Sequence, residues 1–194
     1  MKRLFFIVLS ILSIVMFVSS CNNNDEFKQD GQNVNEINYD ANRKMLVAYF
    51  SATGNTENLA KQIVAATGAD MFRIQAKEPY SVNPYDDSDR IQNESYKNLR
   101  PAVADLPDNV EDYDVIFIGS PIWWHNPAMV VCTFLESYNL KDKIVVPFFT
   151  YGSTTWLQQS VGKIYDVTPQ SIHLNTYTGR DGVENWLRQI HLVK

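Results

Sequence analysis

From residue 44 onward, near-continuous apolar runs alternate with segments of helical periodicity. The runs Lys44–Phe50 (KMLVAYF) and Tyr113–Ser120 (YDVIFIGS) have the composition of strands buried on both faces. Three further strands are predicted at Asp70–Ala76, Lys143–Thr150 and Ser171–Tyr177. Strands that alternate with helices form parallel sheets, because each parallel pair needs a crossover connection. The sequence therefore predicts an open five-stranded α/β sheet with helices on both faces.

The segments between these runs have the spacing of amphipathic helices. After the first strand, apolar residues lie on one side of a helix that ends at Gly68. Those residues are Leu59, Ile63, Val64 and Ala66. Further helices are predicted over residues 88–99, 127–138, 153–162 and 182–190. Open sheets of this kind bind ligands beyond the carboxyl ends of their strands, so the loops after strands one, three and four are the candidate site.

The first twenty residues have the pattern of a secretory signal peptide. A short basic start precedes an apolar run from Leu4 to Val18, which is 15 residues long and therefore shorter than the about 20 residues of a spanning helix. The sequence Val-Ser-Ser before Cys21 resembles the bacterial lipoprotein box, in which the cysteine is lipidated and becomes the new N-terminus. This predicts a protein anchored by lipid at Cys21 to a membrane of the bacterial cell envelope, outside the cytoplasm. The alternative is an ordinary signal peptide with a chance cysteine.

Residues 21–43 differ in composition from the rest of the chain. After Cys21 they are rich in Asn, Asp and Gln and contain few large apolar side chains, which predicts a disordered tether. A flexible chain of this length has an end-to-end distance of roughly 25 Å. The predicted folded domain then covers residues 44–194.

Charge and cysteine content exclude several classes of protein. The net charge is −5, and loss of Lys2 and Arg3 with the signal peptide makes it −7, which is the wrong sign for a nucleic-acid-binding surface. Two cysteines build neither a disulfide scaffold nor a cysteine-rich zinc site. Cys132 lies in an apolar helical run and is predicted to be a buried small apolar residue. With Cys21 lipidated, an intramolecular disulfide is excluded.

The loop after the first strand has the composition of an anion site. Hydroxyl or amide side chains occur at Ser51, Thr53, Asn55 and Thr56, and Gly54 lies where the backbone must turn. The loop leads into a helix N-terminus, whose free N–H groups attract anions. It contains no Lys or Arg, which favours a phosphate held by hydrogen bonds. The simpler alternative is a polar turn with a helix cap, and a nucleotide P-loop is excluded because the GK[ST] ending is absent.

The S-A-T-G-N-T sequence at positions 51–56, after an apolar first strand, resembles the phosphate loop of flavodoxins and related flavodoxin-fold flavoproteins. The resemblance extends over residues 44–190 and includes a third strand that ends in Gly-Ser-Pro and a fourth that ends in Thr-Tyr-Gly. It implies a flavodoxin-like parallel sheet of strand order 2-1-3-4-5 and bound FMN.

The second loop contains two adjacent tryptophans. Both indole N–H groups need partners, so a flat heteroaromatic ring stacked here would explain the pair, although one Trp is expected to pack into the neighbouring helix. In flavodoxin-like proteins the loop at this position lies along the isoalloxazine ring. The resemblance therefore implies flavin contacts for Pro121, Ile122, Trp123, Trp124, His125 and Asn126.

The same loop departs from short electron-carrier flavodoxins, which usually have a glycine beside the flavin. No glycine occurs between Pro121 and Pro127, and the loop resembles that of flavin-dependent NAD(P)H:quinone reductases of the same fold. His125 is a candidate proton donor to a substrate, or simply a polar loop residue. No catalytic residue is assigned.

The third loop also has residues suited to a flavin. Thr150, Tyr151 and Gly152 have the composition to approach its polar edge with backbone N–H groups, and Tyr151 is a candidate for covering one face. The stretch from Tyr80 to Leu99 contains three tyrosines but no assignable chemistry.

Three functions remain open on this basis. The leading one is an FMN-binding, lipid-anchored electron-transfer protein, in which the flavin carries the redox chemistry. The second is an FMN-dependent NAD(P)H:quinone oxidoreductase, and the third is a lipoprotein that uses the fold as a non-redox binding scaffold. The expected partners are a redox protein or a small quinone-like acceptor.

Overall fold

The computed structural model describes residues 37–180 and 182–194. The predicted signal peptide and Cys21, with most of the predicted tether, lie outside these residues. Within them, no helix is long and apolar enough to cross a membrane. The strands are β1 (Met45–Tyr49), β2 (Asp70–Arg73), β3 (Val115–Trp123), β4 (Asn126–Pro127), β5 (Ile144–Thr150) and β6 (Ile172–His173).

The sheet has the order β2-β1-β3-β5-β6, with all four neighbouring pairs parallel. The two-residue strand β4 lies off this path and pairs antiparallel with the end of β3. Counted without β4, the order is 2-1-3-4-5, so the predicted flavodoxin-like topology is confirmed. The helices are α1 (Asn55–Thr67), α2 (Ser88–Tyr96), α3 (Met129–Glu136), α4 (Leu157–Val167) and α5 (Val183–Gln189).

Two apolar layers cover the two faces of the sheet. Alternate residues of the central strands point to opposite faces, so Val47 and Phe117 pack under α1 and α5, whereas Ile116 and Ile118 pack under α3 and α4. Both faces are therefore buried, which accounts for the continuous apolar runs of β1, β3 and β5. Cys132 on α3 is fully buried, as predicted, and burial raises the pKa of its thiol to about 11.

The structure differs from the sequence predictions mainly at the ends of elements. The third strand does not end at Ser120 but continues to Trp123, because Pro121 still pairs with Thr150 of β5 and Trp123 pairs with Asn126. The residues expected to form a loop are therefore part of a β-hairpin. The predicted edge strand 171–177 is reduced to β6 and one isolated bridge between Phe148 and Tyr177. The predicted helix 153–162 begins later, as a 3₁₀ turn (Thr154–Trp156) that leads into α4.

Candidate functional site

The loop between β1 and α1 forms one part of the candidate site. Gly54 precedes α1 at φ 88°, a conformation that glycine adopts without steric cost, and its N–H donates to Ser51 Oγ at 3.1 Å. The helix has no side-chain cap at this end, so its first N–H groups have no acceptor within the helix. The Thr56 hydroxyl is buried and shares a 2.8 Å hydrogen bond with the Thr150 hydroxyl. The two loops are thereby joined where an anion would bind.

A cation that the sequence prediction missed supports this loop from behind. Arg73, at the end of β2, donates to the Ser51 carbonyl at 3.0 Å and lies 3.5 Å from the Glu57 carboxylate. Glu57 also pairs with Lys61 at 2.6 Å, and that hydrogen bond is the main cause that lowers the pKa of the carboxyl group. The negative charge of Glu57, in the first turn of α1, is thus neutralised by two cations. Arg73 reaches this loop because β2 pairs with β1, and the local sequence around Arg73 does not indicate that pairing.

The end of β3 and strand β4 form a hairpin with a two-residue turn. Trp124 and His125 occupy the turn at φ 45° and 75°, the backbone form of a type I′ turn. Ser95 Oγ on α2 donates to the Trp124 carbonyl at 2.6 Å, and Asn126 Nδ2 donates to Ser95 Oγ at 2.8 Å. Hydrogen bonds of two buried polar side chains, Ser95 and Asn126, therefore hold the hairpin against α2.

Trp123 is held by a separate cluster beneath the hairpin. Its ring packs edge-on against Phe50 and Tyr80, each with centroids 5.2 Å away. The Tyr80 hydroxyl donates to Glu94 at 2.6 Å, and Arg90 pairs with the same carboxylate at 2.9 Å. Burial, and after it the hydrogen bond to Glu94, raise the pKa of the Tyr80 hydroxyl far above its usual value, so Tyr80 stays neutral.

A cleft of about 740 Å³ opens at the carboxyl ends of β1, β3 and β5, where open α/β sheets bind their ligands. One end contains the hydroxyl-rich start of α1, and the other contains Ile122 and Trp123. The loop after β5 forms a side wall in which Tyr151 Oη donates to the Thr178 carbonyl at 3.3 Å. Burial raises the pKa of Tyr151. The cleft therefore combines a polar, anion-accepting end with an aromatic end.

Comparison with known proteins agrees with this geometry. The flavodoxin family profile matches residues 44–190, which is most of the chain. This protein belongs to the flavodoxin family.

Several solved structures resemble this flavodoxin-family chain. A candidate flavoprotein from Bacteroides eggerthii is 34% identical, covers 78% of this chain and 99% of its own, and superposes with a TM-score of 0.70. A second, from Bacteroides uniformis, is 31% identical, covers 75% and 98%, and has a TM-score of 0.64. A Lactobacillus acidophilus flavoprotein solved in complex with FMN is 25% identical, covers 69% and 91%, and has a TM-score of 0.61. A comparison with curated proteins finds no match.

The family membership and the FMN in the related structure confirm the cofactor expected from the sequence at the level of the family. In this flavodoxin-family protein most of the predicted binding residues line the cleft. They are Thr53, Asn55, Thr56, Pro121, Ile122, Trp123, Thr150, Tyr151 and Gly152.

The other predicted binding residues lie beside or beneath the cleft. Ser51 and Gly54 form the turn under it, and Trp124 lines a smaller adjoining cavity. The His125 ring stacks on Trp156 with centroids 3.7 Å apart. Asn126 is buried between α2 and α4, where its side chain bonds to Ser95 and Gln159. The direct flavin contacts predicted for these residues stay predictions.

The structure adds cleft residues that the sequence prediction did not assign. Pro84 and Tyr85 come from the segment before α2, and Tyr177, Thr178 and Gly179 follow the last strand. The residues after the last strand could have been predicted from the sequence, because they follow a strand of the same parallel sheet. Pro84 and Tyr85 could not have been predicted in this way, because they had no signal beyond a tyrosine in an irregular segment.

Proposed function

We propose that this protein binds FMN in the cleft and transfers electrons through it, as a lipid-anchored protein of the bacterial cell envelope. The observation that carries the proposal is the cleft with one polar end at a helix N-terminus and one aromatic end. FMN has the same two ends, a phosphate and a flat ring. Bound FMN would supply the redox chemistry, while the chain supplies binding and orientation.

The polar end fits a phosphate. Uncapped N–H groups of α1 and the positive end of its dipole attract an anion, and Thr53, Asn55 and Thr56 add side-chain donors beside them. The Thr56 hydroxyl shares a hydrogen bond with Thr150, and with Thr150 as the donor of this bond the Thr56 hydrogen would be available to the phosphate. Arg73 stabilises the backbone of the loop from behind without lying in it.

The aromatic end fits a flat ring. Ile122, Trp123 and Tyr151 line the cleft, and Trp123 is held in place by Phe50 and Tyr80. A volume of about 740 Å³ lies within the usual range of cofactor sites, about 300–1,000 Å³. The role of these residues is to stack on the ring and exclude water from one of its sides.

The envelope location rests on the sequence alone. The basic start, the short apolar run and Cys21 support export and lipidation. The electron partner is then a protein or a small quinone-like acceptor on the extracytoplasmic side. Labelled fatty acid that enters the wild-type protein but not Cys21→Ala is the expected result, and a wild-type protein that takes up no label would contradict the anchor.

The cofactor proposal is tested by the affinities of residues 22–194 for FMN and riboflavin, measured by flavin fluorescence. We expect FMN to bind more tightly, because riboflavin lacks the phosphate. Thr56→Val should weaken FMN by about 1–3 kcal/mol, the cost of leaving a buried polar group without its partner, and should leave riboflavin unchanged.

Thr67→Val is the matched control for this experiment. Thr67 lies at the other end of α1, where its hydroxyl donates to the Ile63 carbonyl at 2.7 Å. It should alter stability but not the preference for FMN. Equal affinity for the two flavins would refute the phosphate site, and no flavin binding at all would leave the non-redox scaffold as the better description.

A further inference from the structure

A second cavity of about 320 Å³ adjoins the cleft on the side of α2. The two spaces share four lining residues, which are Pro84, Tyr85, Ile122 and Trp123. Ser88, Ile91 and Trp124 line only the second cavity. A molecule in the second cavity would therefore lie next to a ring that occupies the aromatic end of the cleft.

The chemistry of this cavity selects an uncharged, flat ligand. Its lining is mainly aromatic and aliphatic, and Ser88 on α2 adds a hydroxyl group to the hydroxyl of Tyr85 and the indole N–H of Trp124. None of these lining residues is charged. An anionic ligand would find no cation among these lining residues, so no ion pair would offset the hydration that it loses on binding. The phosphates of a dinucleotide are therefore poorly suited to it.

Two walls of the cavity are exposed aromatic rings, and the position of one of them, Trp124, is held by its backbone. Tyr85 is 85% exposed and Trp124 is 38% exposed, although large apolar side chains are usually covered. Trp124 is kept in a left-handed conformation that costs an L-residue roughly 1–2 kcal/mol. Ser95 holds its carbonyl, and Asn126 and Gln159 continue the chain of hydrogen bonds into α4. The strained backbone of Trp124 is therefore stabilised by these hydrogen bonds, which keep its ring at the wall of the cavity.

We infer that this cavity is a binding subsite for a flat, uncharged aromatic electron acceptor of the quinone class, placed beside FMN. The inference rests on the proposed function, because it takes FMN to occupy the cleft. Aromatic walls stack on such a ring, and the Ser88 hydroxyl can donate to a quinone carbonyl. Continuity with the cleft favours a small molecule over a protein as the occupant.

The test is calorimetric titration of the oxidised, FMN-loaded protein with naphthoquinone and with its sulfonate. Naphthoquinone should bind, and the anionic sulfonate should bind about ten-fold more weakly or worse, because it finds no cation. Ser88→Phe fills the cavity and should weaken naphthoquinone about ten-fold or more, since overpacking removes the space for the ligand. Asp89→Phe is the matched control, because it adds the same ring at the next, exposed position of α2.

Three outcomes would overturn the inference: no binding of naphthoquinone to the loaded protein, unchanged binding in Ser88→Phe, or binding to the FMN-free protein alone. The last outcome would mean that naphthoquinone merely takes the place of the flavin ring. FMN affinity is measured in each variant, so failure of the cofactor proposal is seen separately. If FMN does not bind at all, the cofactor proposal fails, and the inference that a quinone lies beside FMN fails with it.

Discussion

The turn residues Trp124 and His125 are placed against their own backbone preference. A type I′ turn needs positive φ at both positions and is usually built from Asn-Gly, whereas this chain has Trp-His at φ 45° and 75°. Contacts from other elements hold the turn: Ser95 binds the first carbonyl, Ser160 binds the second at 3.3 Å, and Trp156 stacks on the imidazole. Tertiary contacts therefore override local preference at this site.

Two substitutions of His125 isolate the backbone strain at this turn. His125→Gly and His125→Ala both remove the stack on Trp156, so they differ mainly in what φ 75° costs. Although alanine is normally the more stabilising of the two, we expect His125→Ala to be less stable than His125→Gly by about 1 kcal/mol. Urea unfolding of both proteins measures the difference. An alanine variant as stable as the glycine variant would mean that the turn adopts another form in solution.

At the scale of elements, two glycines have opposite roles. Gly119 in the middle of β3 leaves room for the Phe148 ring of the neighbouring strand, because a Cβ there would overlap that ring and lie 2.9 Å from Tyr49 Cβ. Gly162 is in the interior of α4, and a Cβ there would meet no atom within 4 Å. The sheet needs the first glycine, whereas the helix would be more stable without the second.

The two alanine substitutions form a matched pair. Gly162→Ala should stabilise the protein by about 0.5–1 kcal/mol, the difference in helix propensity. Gly119→Ala should destabilise it by about 1–3 kcal/mol, as overpacking of a core does. Thermal unfolding of both variants and the wild type shows whether each substitution raises or lowers the stability. A Gly119→Ala variant as stable as the wild type would show that the Phe148 ring can move away from β3 without cost.

At the scale of the whole molecule, the chain enters the domain at the end opposite the cleft. Ile37 packs against the apolar layer under α1 and α5, and the Lys44 N–H donates to Asp114, just before β3, at 2.9 Å. β1 then runs its five residues, about 17 Å, to the loop at the cleft. The proposed anchor, joined before Ile37, would therefore be attached at the end of the domain that lies far from the cleft.

Together with the proposed lipid anchor, this geometry predicts how accessible a bound flavin would be on a membrane. On vesicles carrying the lipidated protein, aqueous iodide should quench the fluorescence of bound FMN as strongly as it does in the soluble domain. Nitroxide-labelled lipids should quench it little, because quenching of this kind needs close approach. Strong quenching by the labelled lipids would mean that the tether lets the cleft turn toward the membrane.

The sequence by itself determined the alternation of elements, the buried central strands and the three loops that carry the site. The strands can be predicted because burial on both faces requires continuous apolar runs in β1, β3 and β5. The first loop can be predicted because Gly54 and the hydroxyl residues beside it are contiguous in the chain. The strand order came from a family resemblance carried by the same contiguous residues.

Only the tertiary structure decided which distant residues meet at the cleft. Arg73 of β2 and Ser95 of α2 each donate to a backbone carbonyl more than twenty residues away in the chain, at Ser51 and Trp124. Tyr85 lines a cleft that is formed by several segments. The hairpin at Trp124 contradicts local turn preference and exists because buried serines on two helices hold it. Such contacts depend on how elements pack, and packing between distant segments leaves no periodic signal in the sequence.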